Sequence, residues 1–303
     1  MSFNIDELSR KMSRRGATKL GALGAAAAFG AIPLVGKAQD EERKRRPGKD
    51  EGGESRVYRG TDIPDGKYPW LMAQVGRSGS TFTRSAGCTA TYIGSKKVLT
   101  AAHCVRLETP AGLGYASSDT DLAETPTFTG VSTIAVHPLY PTDGSHNPKY
   151  DVAVVTLEST PFPLISPIPL IAENRQDLYP AGTTVRIMGW GHFDGSGPAT
   201  DEYVQAREAK IVLYSDQACK DAHGGNFPVN YLMCGMGTNK EGARSGDSGG
   251  PAVLPRGADS TLYQIGVCSN LVNEVDGDII TTYTEVANSD IRAFIRQHAG
   301  SAV

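Results

Sequence analysis

The chain has 303 residues, among them 35 Gly and 18 Pro, with a formal net charge of −3. Short Val/Ile/Thr runs between so many turn formers exclude a helical bundle and fit an all-β body, and the length suits one large or two ordinary domains. The charge is unevenly spread: residues 1–56 hold 12 Lys/Arg against 8 Asp/Glu, and the rest 18 against 25. So acidic a body excludes nucleic acid as the main partner.

The N-terminus reads as a leader. Arg14-Arg15 precedes Leu20 to Gly36, which carries no charge, and Gly36-Lys37-Ala38 puts small residues at a cleavage site. A basic n-region before a mild, Ala/Gly-rich h-region is an export signal of the twin-arginine kind, assigned to residues 1–38. A membrane anchor is the competing reading, but the apolar run sits at the short limit for a span. Residues 39–56 are dense in Asp, Glu, Lys and Arg and almost without apolar side chains. Such a stretch cannot bury enough surface to fold, so a disordered charged pro-segment is expected there.

At Arg56-Val57 the composition changes. Leu71–Val75, Gly87–Ile93 and Lys97–Thr100 read as strands, the last two turning at Gly94-Ser95. Leu99-Thr100-Ala101-Ala102-His103-Cys104 then places a histidine just past a strand. From Arg106 to Phe128 the apolar pattern is lost, and surface loops are expected. Asp119, Asp121 and Glu124 in that stretch match no calcium-loop spacing and read as a solvated acidic loop. Val131–Val136 is another strand. His137 and His146 fall in Pro- and Asn-rich turns and receive no catalytic role. Tyr150-Asp151 opens the β-branched run Val152–Leu157.

Pro161 to Pro169 is a connector. Thr183–Met188 is a strand ending at Gly189-Trp190-Gly191, and Ala206–Leu213 is the next. His192 and His223 lie in glycine-rich loops without a partner at metal-ligand spacing. Gly246-Asp247-Ser248-Gly249-Gly250-Pro251 sets a serine between an acid and glycines. A hydroxyl is a weak nucleophile without an adjacent base, and the chain supplies a histidine and a carboxylate upstream. The order is His103, Asp151, Ser248, one of the orders in which a Ser-His-Asp triad occurs. Asn288-Ser289 caps a last helix with Ile291, Phe294 and Ile295 on one face.

From about Val57 to the C-terminal helix these motifs resemble the trypsin/chymotrypsin family of serine peptidases. The resemblance implies two antiparallel six-stranded β-barrels, about 57–160 and 170–303, with a C-terminal helix packed on the second. It implies Ser248 as nucleophile, His103 as general base and then acid, and Asp151 as the group that orients His103. The Gly246 and Ser248 N–H groups become the oxyanion hole. Disulfides Cys88–Cys104 and Cys219–Cys234 follow from it, as does activation by cleavage after Arg56, the freed Val57 amine pairing with Asp247. The family's substrate pocket falls on Gly242, Ser269, Leu271 and Thr281. Gly242 at the pocket floor brings no charge, so small or medium apolar P1 side chains are expected. Glu274, Asp276 or Asp278 reaching the floor would restore a basic preference.

One departure stands out. Relatives carry a cysteine four residues before the nucleophile, where this chain has Arg244, which leaves Cys268 as a free core thiol. The expected protein is a secreted endopeptidase acting on peptides or proteins. It needs no cofactor and no metal, and has no stable membrane association after signal removal. A non-catalytic homologue that binds a partner through the same cleft, and an esterase, are the rivals. The presence of all three triad residues speaks against the first, and the chain order against the second.

Overall fold

The computed structural model describes Val57 and residues 60–83, 86–117, 121–124, 126–161, 165–191, 205–239, 241–257, 261–273 and 279–300. The export signal, the pro-segment with Arg56, and Asp119, His192, Glu274, Asp276 and Asp278 lie outside them.

The strands in chain order are β1 (Thr61–Asp62), β2 (Leu71–Ser78), β3 (Thr81–Phe82), β4 (Cys88–Gly94), β5 (Lys97–Thr100), β6 (Leu113–Ser117), β7 (Thr127–Val136) and β8 (Ala153–Leu157), followed by β9 (Thr184–Gly189), β10 (Arg207–Leu213), β11 (Leu232–Met236), β12 (Pro251–Arg256), β13 (Thr261–Asn273) and β14 (Ile279–Glu285). They form two closed antiparallel barrels. The first runs β2-β4-β5-β8-β7-β6 and closes by β2–β6 pairing, with β3 added at its edge. The second runs β10-β11-β14-β13-β12-β9 and closes by β9–β10 pairing. Closure removes the open edges that make flat sheets prone to aggregation.

Local chemistry explains the turns. Between β4 and β5, Gly94, Ser95 and Lys96 all have positive φ, at 101°, 48° and 64°. The tight two-residue hairpin favours left-handed residues because their twist matches that of the flanking strands. The Cys88–Cys104 disulfide then ties β4 to the segment after β5, and Cys219–Cys234 ties helix α2 (Asp216–Ala222) to β11. Closing loops with separations of 16 and 15 residues contributes about 3 kcal/mol each on chain-entropy grounds. Cys268 is a buried free thiol.

Three sequence readings are corrected. Leu113–Ser117 is not a surface loop: all five residues are buried and close the first barrel. Its Leu-Gly-Tyr-Ala-Ser composition hides the strand, because Gly114 stays side-chain-free to lie against Phe82 while Tyr115 fills the core. The first residues of the domain do not join the first barrel either. Thr61 and Asp62 pair with Glu208 and Arg207 of β10, so β1 lies on the second barrel and the chain then crosses to the first. Helix α3 (Ser289–Ala299) is anchored at its start on the second barrel: Asn288 Nδ2 donates to Asn230 O at 2.7 Å, and Asn288 Oδ1 accepts from Asp290 N and Ile291 N. Its apolar side, however, packs against β8 of the first barrel, with Phe294 4.9 Å from the His137 ring. The helix therefore straps the two barrels together.

Candidate active site

The site forms where the barrels meet. Helix α1 (Ala102–Val105) begins directly after β5 and carries His103. A single 3-10 turn, Pro148–Tyr150, delivers Asp151 ahead of β8, which pairs with β5. Both side chains thus sit at the ends of adjacent strands of one sheet, His103 just after β5 and Asp151 just before β8.

Asp151 is fully buried, and both carboxylate oxygens accept hydrogen bonds. Oδ1 accepts from the His103 main-chain N–H at 2.8 Å, while Oδ2 meets His103 Nδ1 at 2.7 Å and accepts from Ser269 Oγ at 2.7 Å. Burial alone would raise the Asp151 carboxyl, but the charge and hydrogen bonds of His103, and then of His146, hold it well below the usual carboxylate range. Asp151 is therefore ionised and only accepts, which fixes the proton of neutral His103 on Nδ1 and leaves Nε2 with a lone pair.

Ser248 comes from the second barrel on a turn shaped by glycines. Gly246 and Gly249 have φ of 99° and 79°. A Cβ at Gly249 would collide with Thr100 Oγ1 and Thr89 O. The turn is held at several points: Thr89 N donates to Ser248 O at 2.8 Å, Thr89 Oγ1 to Gly246 O at 3.0 Å, and Gly249 N to Cys268 O at 2.8 Å. Thr89 lies on β4 and Thr100 on β5, three residues before His103. The strand pair that delivers the histidine also clamps the serine turn. Among the described residues, neither the Gly246 nor the Ser248 N–H has a main-chain acceptor.

Next to the serine, Asp247 points into the protein. Its Oδ1 accepts from Gly191 N at 2.7 Å and its Oδ2 from Arg244 N at 2.8 Å. A Cβ at Gly189 or Gly191 would overlap this carboxylate, which accounts for the glycines on both sides of buried Trp190. Burial pushes the Asp247 carboxyl up to about 7 against the pull of these N–H bonds. Val57, 1% exposed, lines the same small cavity with Asp247, Ile187, Ala243 and Tyr283. Its φ of 36° is an outlier for a β-branched residue.

The residues assigned to the pocket also come together. Leu271 and Thr281 are cross-strand partners on β13 and β14. Thr281 Oγ1 accepts from Ala243 N at 2.9 Å, and a Cβ on Gly242 would meet Ile279 O at 3.0 Å and Thr281 Oγ1 at 3.3 Å. The Ser269 hydroxyl donates to Asp151 Oδ2, so this side chain faces the carboxylate. His137 and His223 are engaged structurally: His137 Nδ1 accepts from Leu139 N, and the His223 ring bonds Cys219 O and Thr282 Oγ1.

His146, given no catalytic role from the sequence, also reaches this site. Its Nε2 lies 3.0 Å from Asp151 Oδ2, and its ring stands edge-on to His103 at 5.5 Å between centroids. A histidine in the loop that ends on the candidate acid was the available signal.

A nucleophile turn, a carboxylate-bound histidine and a double barrel define a serine hydrolase of the two-barrel class. The family model described as trypsin matches residues 57–294. The chain is 30% identical over 200 residues to the trypsin of Saccharopolyspora erythraea, covering 65% of this chain and 82% of that protein. It is 30% identical over 243 residues to fibrinolytic enzyme isozyme C of Lumbricus rubellus, covering 76% and 93%, and 27% identical over 238 residues to the proclotting enzyme of Tachypleus tridentatus, covering 71% and 59%. The chain belongs to the trypsin family and is a serine endopeptidase.

Proposed function

We propose that this endopeptidase is exported, activated by cleavage after Arg56, and cuts peptide bonds after small or medium apolar residues, with Ser248, His103 and Asp151 as its catalytic residues. The observation that carries the chemistry is the His103–Asp151 contact. With Nδ1–H held by an ionised carboxylate, His103 Nε2 takes the Ser248 proton as Oγ attacks the scissile carbonyl. The Gly246 and Ser248 N–H groups receive the oxyanion. The protonated Nε2 then gives its proton to the leaving amine, and water releases the acyl group by the same steps in reverse roles.

Activation is supported by the state of Asp247. Among the described residues no side-chain cation forms an ion pair with the buried Asp247 carboxyl beside Val57, and a freed Val57 ammonium would ionise it and fix the Gly246–Ser248 turn. Gly242 supports the P1 preference, since it brings no charge itself and the atoms closest to its Cα hydrogen side are the Ile279 carbonyl and Thr281 Oγ1. Leu271 and Thr281 narrow the same space. Export rests on the residue 1–38 pattern. Among the described residues no helix is long and apolar enough to cross a membrane.

Matched peptides differing only at P1 test the reading on protein beginning at Val57. Ala, Val or Leu exceeds Arg in kcat/KM by about tenfold or more. A preferred Arg or Lys substrate overturns the pocket assignment.

A further inference from the structure

The catalytic histidine and aspartate share their surroundings with a second histidine that the peptidase reaction does not need. His146 is 27% exposed at its side chain and His103 17%. Ligand atoms of His103, His146 and Asp151 all lie within 4.8 Å of one another. The loop that presents His146 is braced at its base. Asp143 Oδ1 accepts from Ser145 N at 2.9 Å and Ser145 Oγ at 2.6 Å, and the Arg106 guanidinium donates to Ser145 O and Gly144 O. These bonds brace the turn that presents the imidazole.

At Asp151 Oδ2 three groups crowd one oxygen: His103 Nδ1 at 2.7 Å, Ser269 Oγ at 2.7 Å and His146 Nε2 at 3.0 Å. Two imidazoles and one carboxylate, with the histidines reached from the cleft, form the ligand set of a three-residue zinc site that keeps a fourth position for water.

We propose that His103, His146 and Asp151 form an inhibitory site for a borderline-soft divalent transition ion of the Zn²⁺ class. This rests on the reading of His103 as the general base. Tetrahedral zinc with N and O ligands at about 2.0–2.2 Å needs ligand–ligand separations of roughly 3.3–3.5 Å. The two imidazole nitrogens therefore move back from Oδ2 by roughly half an ångström, within rotamer reach. Coordination replaces N–H···O contacts with metal bonds and loses no proton overall. Each neutral imidazole gives the ion one ring nitrogen and keeps its single proton on the other. If the ion takes His103 Nδ1, the proton moves to Nε2, which then has no lone pair for Ser248. If it takes Nε2, that lone pair is itself the metal ligand. Either way the base is lost while the ion is bound, and it returns when the ion leaves. Ca²⁺ and Mg²⁺, which prefer all-oxygen shells, do not compete for this set.

The test combines binding with activity. Isothermal titration of ZnCl₂ into the Ser248→Ala protein, which keeps all three ligands, gives one ion per chain at micromolar concentration. In the Ser248→Ala/His146→Ala protein that affinity falls at least thirtyfold. In the active protein the same ZnCl₂ range abolishes peptide hydrolysis, EDTA restores it, and CaCl₂ and MgCl₂ have no effect. Unchanged affinity in the double variant, or no binding at millimolar Zn²⁺, overturns the proposal. Zinc binding to Ser248→Ala alongside a Ser248-bearing chain, beginning at Val57, that hydrolyses no peptide even with EDTA keeps the metal site and rejects the general-base reading on which its inhibitory effect rests.

Discussion

The sharpest consequence concerns Asp247, because its two proposed states make opposite demands. Before cleavage after Arg56 its buried carboxyl is pushed up to about 7 from an unfolded value of 3.8. A raised carboxyl holds its proton in the folded chain at pH values where the unfolded chain has lost it, so stability falls as pH rises from about 4 to 7. The full effect is roughly 4 kcal/mol at most, and about 2–3 kcal/mol of it falls between pH 5 and pH 8. Asp247→Asn removes that dependence. It also turns one accepting oxygen into an NH₂ facing the N–H of Gly191 or Arg244, at a cost of about 1–3 kcal/mol that does not vary with pH. Urea unfolding of the chain from Gln39, carried on a Ser248→Ala background to prevent self-cleavage, measures both at pH 5 and pH 8. The parent loses about 2–3 kcal/mol more than the Asn variant across this interval. Glu285, also raised by burial to about 7, and the lowered His137 and His223 act equally in both chains and cancel. The proposed pairing with a freed Val57 ammonium would ionise Asp247, so the difference should shrink in protein beginning at Val57. There Asp247→Asn lowers kcat/KM by about 10²–10³, as expected when an oxyanion donor is misplaced. An equal gap between the two chains at both pH values in the Gln39 form would refute the reasoning.

Two further outcomes follow from contacts at the site. Ser269→Ala removes one of three donors to Asp151 Oδ2 and lowers kcat/KM about tenfold, with urea stability reduced by about 1 kcal/mol; unchanged kinetics would show that the hydroxyl does not help hold the carboxylate. Thiol titration of denatured, unreduced protein beginning at Val57 gives one reactive sulfur, Cys268, and the folded protein reacts only slowly, because burial raises this thiol far above its ordinary value. Three or more thiols would contradict the two disulfides.

The parts legible in sequence were those fixed by short-range chemistry. The Gly94-Ser95 hairpin, the cap at Asn288 and the residues that become His103 and Asp151 each carry their signal within a few positions. Leu113–Ser117 was not legible because Gly114 is set by Phe82, far away in sequence, and a strand buried at all five residues shows no apolar-polar alternation to read. The start of the chain misled for a similar reason. Thr61-Asp62 is too short to declare a partner, and Glu208 and Arg207 provide one only after the second barrel closes. His146 stayed hidden because a histidine in a turn has no periodicity. Its contact with Asp151 appears only once the braced loop folds back onto that residue.

In the proposed mechanism His103 and Asp151 activate Ser248. A fluorophosphonate probe reacts only with a serine whose proton a neighbouring base can take. Peptide mapping of labelled protein beginning at Val57 should place a single adduct on Ser248. The label should vanish in His103→Ala, and Ser248→Ala should lose roughly 10⁶ in kcat. Labelling at another serine, or full labelling of Ser248 without His103, would contradict it.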